Sequence, residues 1–140
     1  MLRQACARDW LAYFDEGAEM AEILVVDDTE DVRKTIGSML KRSGHNVTPA
    51  AGGIKAIALL ERQRFDLVVT DILMPEGDGT EIMMFLDKMP NRPRVVAMSG
   101  GGTLLSPGLA LQMARAKADA VLTKPFESAE LIATVERLLA

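Results

Sequence analysis

The sequence predicts an α/β domain in which five parallel strands form one sheet with helices on both faces. Three observations lead there. Short apolar segments alternate with amphipathic ones along most of the chain, as strand–helix–strand units require. The apolar segments around Val25, Val68, Val95 and Leu122 are continuous rather than alternating, which is the pattern of strands buried on both faces. Gly, Pro, Ser and Asp cluster at the junctions between segments.

The elements follow in order. Ile23-Leu24-Val25-Val26 is a buried strand running into Asp27-Asp28. Thr29 is a good N-cap, and Glu30 and Asp31 suit the positive end of a helix dipole. Val32, Ile36, Met39 and Leu40 make an apolar stripe, so a helix is expected from about Glu30 to Ser43, stopped by Gly44. His45 to Ala50 is a weaker strand, placed near a sheet edge because Pro49 cannot donate to a ladder. Gly52-Gly53 is a loop, and Ile54, Ile57, Ala58 and Leu60 mark the inward face of a second helix ending near Gln63.

Leu67 to Thr70 is the third strand and delivers Asp71 to its carboxyl end. Pro75, Gly77 and Gly79 then force a loop. Thr80 to Met89 is a helix with Ile82, Phe85, Leu86 and Met89 inward, and Met83-Met84 partly exposed as a contact surface. Arg94 to Met98 is the fourth strand, ending at Ser99, before the bent Gly100-Gly101-Gly102 segment. Ser106-Pro107 opens a helix with Leu109, Met113 and Ala116 inward. Ala120 to Thr123 is the fifth strand, ending at Lys124-Pro125. Ser128 starts the last helix, whose apolar face is Leu131, Ile132, Val135, Leu138 and Leu139. Residues 1–20 stand apart: they hold the only Trp and the only Tyr. They read as a helical or disordered extension, with Met20 as an alternative start and a docking helix as a third option; residues 21–140 form the domain.

Bulk properties narrow the function. A chain of 140 residues, 49% hydrophobic and 26% charged, fits one domain with one core. The net charge of −4 argues against direct nucleic-acid binding. One cysteine and one histidine exclude a disulfide within the chain and a Cys or multi-His metal cluster, and suit a cytoplasmic protein. No apolar run reaches the roughly 18 residues of a membrane span, so no membrane association is expected.

In a parallel sheet the strands' carboxyl ends share one edge, where ligands bind. That edge carries Asp27 and Asp28, Asp71, Ser99 and Lys124. Two carboxylates about 4 Å apart repel by about 4 kcal/mol at an effective dielectric of about 20. A hard cation such as Mg²⁺ relieves that repulsion and keeps waters free for a phosphate. Lys124 adds a positive point charge for a phosphoryl oxygen, the Ser99 hydroxyl adds a donor, and one carboxylate is left as nucleophile. The set suits phosphoryl transfer, which needs mainly positioning and charge neutralisation.

With these residues at its strand ends, the sequence resembles the receiver domains of two-component response regulators, stand-alone or excised and chemotaxis-regulator-like. The resemblance rests on Val25-Val26-Asp27-Asp28, Asp71-Ile72-Leu73-Met74-Pro75 with Asp78-Gly79, Met98-Ser99 and Lys124-Pro125-Phe126, and covers about Glu22 to Ala140. It implies a flavodoxin-like sheet of order 2-1-3-4-5. It implies Asp71 as phosphoacceptor from a histidine kinase or histidine phosphotransfer protein. Asp28 would hold Mg²⁺ directly and Asp27 largely through water, with Asp71 and the Leu73 backbone carbonyl completing the metal site. Ser99 and Lys124 would move to the phosphoryl oxygens, and the Lys124-Pro125 bond would be cis. Phosphorylation would change contacts with a downstream output protein, on a surface of the last two helices and last strand, with a homodimer left open. As the chain ends after the last helix, a stand-alone or excised receiver is expected rather than an enzyme.

Two positions depart from the family. Val121 stands where an aromatic ring commonly switches, which shifts the expected response to the Gly100–Gly102 segment. Leu73 stands at a position that is often polar, which predicts a long-lived acyl phosphate. The main alternative is a Mg²⁺-dependent phosphatase with an aspartyl nucleophile; it wants an Asp-x-Asp pattern on the first strand and a cap domain, where this chain has adjacent aspartates. A nucleotide or flavin binder would want a Gly-rich phosphate loop after the first strand, which is missing. A receiver that has lost phosphorylation would not keep the full residue set. His45 lies at the wrong strand's start to be a phosphate carrier.

Overall fold

A computed structural model describes residues 20–72, 79–100 and 117–140. Its strands are β1 (Glu22–Val26), β2 (Asn46–Ala50), β3 (Leu67–Asp71), β4 (Arg94–Gly100) and β5 (Ala120–Lys124), and its helices are α1 (Glu30–Arg42), α2 (Gly53–Arg62), α3 (Gly79–Asp87) and α4 (Ser128–Leu139). The five strands are all parallel, in the order β2-β1-β3-β4-β5. The helix expected from Ser106 and the Gly101-Gly102 segment lie outside the described residues, as do residues 73–78 and 1–19.

Side-chain alternation splits the core into two layers. Ile23 and Val25 of β1, Leu67 and Val69 of β3, and Val96 and Met98 of β4 face Ile36 and Leu40 of α1 and Leu131 and Val135 of α4. Leu24, Val26, Val68 and Val95 face the other way, onto Ala56 and Leu60 of α2 and Ile82 and Leu86 of α3. A strand between two helical layers has no polar face, which is why β1 and β3 carry continuous apolar runs.

Several local expectations are corrected. Gly53 begins α2 instead of lying in a loop, and the buried face of α2 is Gly53, Ala56 and Leu60. Ile54 and Ala58 point outward, Ile54 being 69% exposed. The misassignment is a rotation of one residue: with Gly53 as the first helical position, i, i+3 and i+7 select 53, 56 and 60. Met83 is buried at 2% exposure, and only Met84 is open to solvent. Thr29 occupies the N-cap position, but its side chain makes no capping bond. Leu122 is the buried residue of β5, while Ala120 and Val121 are half-buried, because β5 is an edge strand. β2 is the other edge, with Pro49 exposed as its missing N–H suggests. Gly44 ends α1 at φ 95°, in the left-handed region.

Candidate functional site

The parallel register brings the ends of β1, β3, β4 and β5 together. Val26 lies opposite Thr70, Asp71 opposite Met98, Ser99 opposite Thr123 and Gly100 opposite Lys124. Asp27 is the first residue past β1, and its N–H still donates to the Ala50 carbonyl of β2 (3.2 Å). Its side chain therefore enters the crevice beside Asp71, fully buried. Asp71 is nearly as buried, and Asp28 is exposed. Carboxylate oxygens of Asp27, Asp28 and Asp71 all lie within 4.8 Å of one another.

Burying such a cluster requires compensation. Lys124 provides much of it, reaching in from the end of β5. Its Nζ lies 2.8 Å from Asp27 Oδ2 and 3.1 Å from Asp71 Oδ2. Partial burial disfavours the ammonium, but the hydrogen bond to Asp27 and the charges of Asp71 and Asp27 outweigh it, so Lys124 is held above its ordinary value and stays protonated. The other Asp27 oxygen, Oδ1, accepts the Thr29 N–H at 2.9 Å, so the aspartate, not Thr29, satisfies a donor at the start of α1. The Thr70 hydroxyl donates to the Asp71 carbonyl at 2.9 Å. Arg33 Nη1 donates to the Asp27 carbonyl at 2.8 Å.

Four of the residues singled out in the sequence come together. Asp27, Asp28, Asp71 and Lys124 form one cluster, and Ser99 is half-buried one position past the strand partner of Asp71. Leu73 and its carbonyl lie outside the described residues. The Lys124-Pro125 peptide is cis, as expected. Val121 packs against the small cluster of Ile72, the residue after Asp71, and Ala97. His45 is far from this chemistry in the chain's plan: its Nδ1 accepts the Ala21 N–H at 3.1 Å, before β1 begins. Sequence reasoning missed Arg33 and Thr70. No side-chain pattern signals Arg33, because its acceptor is a backbone carbonyl.

The donor set is all oxygen, charged and hard, with one carboxylate open to solvent. Those properties fit a small divalent cation that keeps part of its water shell.

A model of the response regulator receiver domain matches residues 23–136. The chain belongs to the response regulator receiver domain family. Receiver domains of this family are phosphorylation-dependent signalling modules of two-component systems. The transcriptional regulatory protein PrrA of Mycobacterium tuberculosis is 36% identical over 125 residues, covering 89% of this chain and 52% of PrrA. This receiver therefore spans about half the length of the PrrA relatives it matches. The response regulator receiver protein CpdR of Brucella abortus is 31% identical over 122 residues, covering 86% of this chain and 98% of CpdR. The solved chemotaxis response regulator CheY4 of Vibrio cholerae superposes with a TM-score of 0.75 at 28% identity, covering 86% of this chain and all of CheY4. Among the described residues, no helix of this receiver is long and apolar enough to cross a membrane.

Proposed function

We propose that this receiver is a switch thrown by phosphorylation of Asp71, with a histidine kinase or a histidine phosphotransfer protein as donor. The reading is carried by one observation: three carboxylates are clustered, and Lys124 bridges the two buried ones, Asp27 and Asp71. A carboxylate oxygen of Asp71 attacks the phosphorus of a phosphohistidine. A P–O bond forms, the P–N bond breaks, and the imidazole leaves with the electron pair. Lys124 has the charge and reach to follow the incoming phosphoryl oxygens, and Ser99 supplies a hydroxyl donor from the neighbouring strand end. The metal in this reading is Mg²⁺, which when bound neutralises the carboxylates and draws charge from the phosphoryl oxygens. Both oxygens of Asp27 have protein partners, which suits Asp27 as a holder of metal-bound water; Asp28 and Asp71 are the direct ligands implied by the family. The Leu73 carbonyl is the further ligand implied by the family.

The switch has two states whose balance the phosphoryl group biases, and the readout is altered contact with an output protein. Residues 21–140 make up the receiver and residues 1–20 an extension; the setting is cytoplasmic. Val121 has no ring to rotate, but it packs against the cluster of Ile72 and Ala97, the first of which follows Asp71 in the chain.

The test is incubation of the full chain with Mg²⁺ and acetyl phosphate, followed by intact mass. The native chain gains one phosphoryl group, and Asp71→Asn gains none. Continuous turnover of a phosphate ester by the native chain would instead support the phosphatase reading. An unlabelled native chain overturns the switch.

A further inference from the structure

We propose that Arg33 is a positioning residue for the acidic pair: it fixes the peptide plane between Asp27 and Asp28 and so sets the aim of both carboxylates. The inference rests on the phosphorylation reading above and adds to it a determinant outside the cluster itself.

Asp27 is fully buried, and each of its polar groups has a different partner. Its N–H goes to Ala50 of β2, Oδ1 to the Thr29 N–H and Oδ2 to Lys124. The carbonyl is the group that leaves the sheet, since the chain turns toward α1 at this point and no ladder bond remains for it. Arg33 takes that place at 2.8 Å, from the half-buried face of α1. The Asp27 carbonyl and the Asp28 N–H belong to one rigid peptide plane. Holding the oxygen therefore also orients the bond from which Asp28 departs. Asp28 is exposed, so burial does little to fix its side chain. Removing the guanidinium would leave a buried carbonyl without its donor, and the plane would rotate to find water. Arg33 itself is anchored by the helix, where its N–H bonds the Thr29 carbonyl at 3.0 Å.

A field effect and a positioning effect have opposite signs here, which makes the idea testable. Arg33 is a cation near a cation site. If it acted through charge alone, its removal would tighten Mg²⁺ binding. If it acts through the Asp27–Asp28 plane, its removal weakens binding, as losing an outer partner of a metal site does.

The experiment uses the full chain, calorimetric titration with Mg²⁺, and ¹⁵N NMR of the metal-free protein. Arg33→Gln is expected to raise the Mg²⁺ Kd about 10-fold, the low end for outer-partner losses. The Thr29 amide, which reports on Asp27 Oδ1, should shift and exchange faster. Arg33→Lys, which keeps a donor and the charge, should recover most of the affinity. At saturating Mg²⁺ the labelling rate with acetyl phosphate should return to within about 2-fold of the native rate, because the metal restores the aim that the arginine held. An unchanged or lower Kd in Arg33→Gln overturns the positioning role, even with a lowered melting temperature. Should Arg33→Gln fail to fold, Arg33→Lys decides alone: a Kd at or below the native one, or an undisplaced Thr29 amide, overturns the proposal, and a modestly raised Kd with a displaced Thr29 amide supports it. No Mg²⁺ uptake by the native chain would overturn the phosphorylation reading and this inference with it, whereas native uptake with no effect of Arg33 overturns the inference alone.

Discussion

The two edges of the sheet hold aspartates in opposite conditions. At the amino edge, Asp66 Oδ2 accepts the Glu22 N–H at 2.8 Å, and Asp119 Oδ2 accepts the Val95 N–H at 2.8 Å. Asp119 also meets Arg92 at 3.3 Å and Arg94 at 3.6 Å, and Lys117 pairs with Asp87 at 2.9 Å. Asp66 and Asp119 cap strand starts and are at least partly exposed, and Asp87 has a lysine partner. At the carboxyl edge, Asp27 and Asp71 are buried, Asp28 lies beside them, and Lys124 bridges the two buried ones. One edge resolves its charges locally, and the other keeps a surplus of negative charge in place. That surplus suits a small dication.

Removing Lys124 should give the largest effect. Lys124→Met leaves two buried carboxylates facing each other, and in metal-free protein at neutral pH it should cost about 2–3 kcal/mol in urea unfolding. The value is set below that of a fully buried pair because Lys124 is partly exposed. Added Mg²⁺ should return part of that loss. The native lysine is raised above its ordinary value of 10.5, so its contribution is fully present at lower pH and fades only as pH climbs through the higher folded value. A loss under about 0.5 kcal/mol would mean the carboxyl edge is no more strained than the amino edge.

Asp119→Ala comes next, at about 1–1.5 kcal/mol, for the loss of the Val95 cap and two partly exposed ion pairs. Asp119→Asn, which keeps an acceptor for Val95, should recover most of it by the same urea assay. Asp28→Asn should go the other way. Relieving repulsion at the crowded edge should stabilise the metal-free chain by about 0.5–1 kcal/mol while weakening Mg²⁺ uptake in calorimetry. If both aspartate substitutions destabilise equally, the contrast between the edges fails.

The smallest effect is a pH slope at the amino edge. Burial lowers the His45 pKa below its ordinary 6.5, with Glu136 partly opposing, and the neutral ring accepts the Ala21 N–H. The unfolded chain then binds the proton more readily, so stability rises with pH across this window. It is complete above 6.5 and declines as pH falls from there toward the lower folded value. Urea midpoints of the native chain should fall more than those of His45→Gln between about pH 7 and about pH 5.5.

Much of this molecule is legible without coordinates because burial imposes periodicity. β1 and β3 announce themselves by apolar runs, and a parallel sheet obliges their trailing aspartates to share an edge. Helix rotation is less legible where small residues line the interface. In α2 the buried face is Gly53, Ala56 and Leu60, and the exposed Ile54 looked more like core than any of the small ones. Met83 and Met84 are chemically identical neighbours, so only packing against β-strand residues could separate the buried one from the exposed one.

The sequence by itself determined the architecture and the membership of the acidic cluster, since both follow from where apolar runs stop. Tertiary structure alone decided which oxygen meets which partner. Lys124 lies 97 residues from Asp27 in the chain, yet bonds it at 2.8 Å. Arg33 reaches a backbone carbonyl, an acceptor that every residue type carries, so no pattern of side chains encodes the contact. Directional bonds depend on angles and distances set by the whole packed core, whereas burial depends only on which residues avoid water.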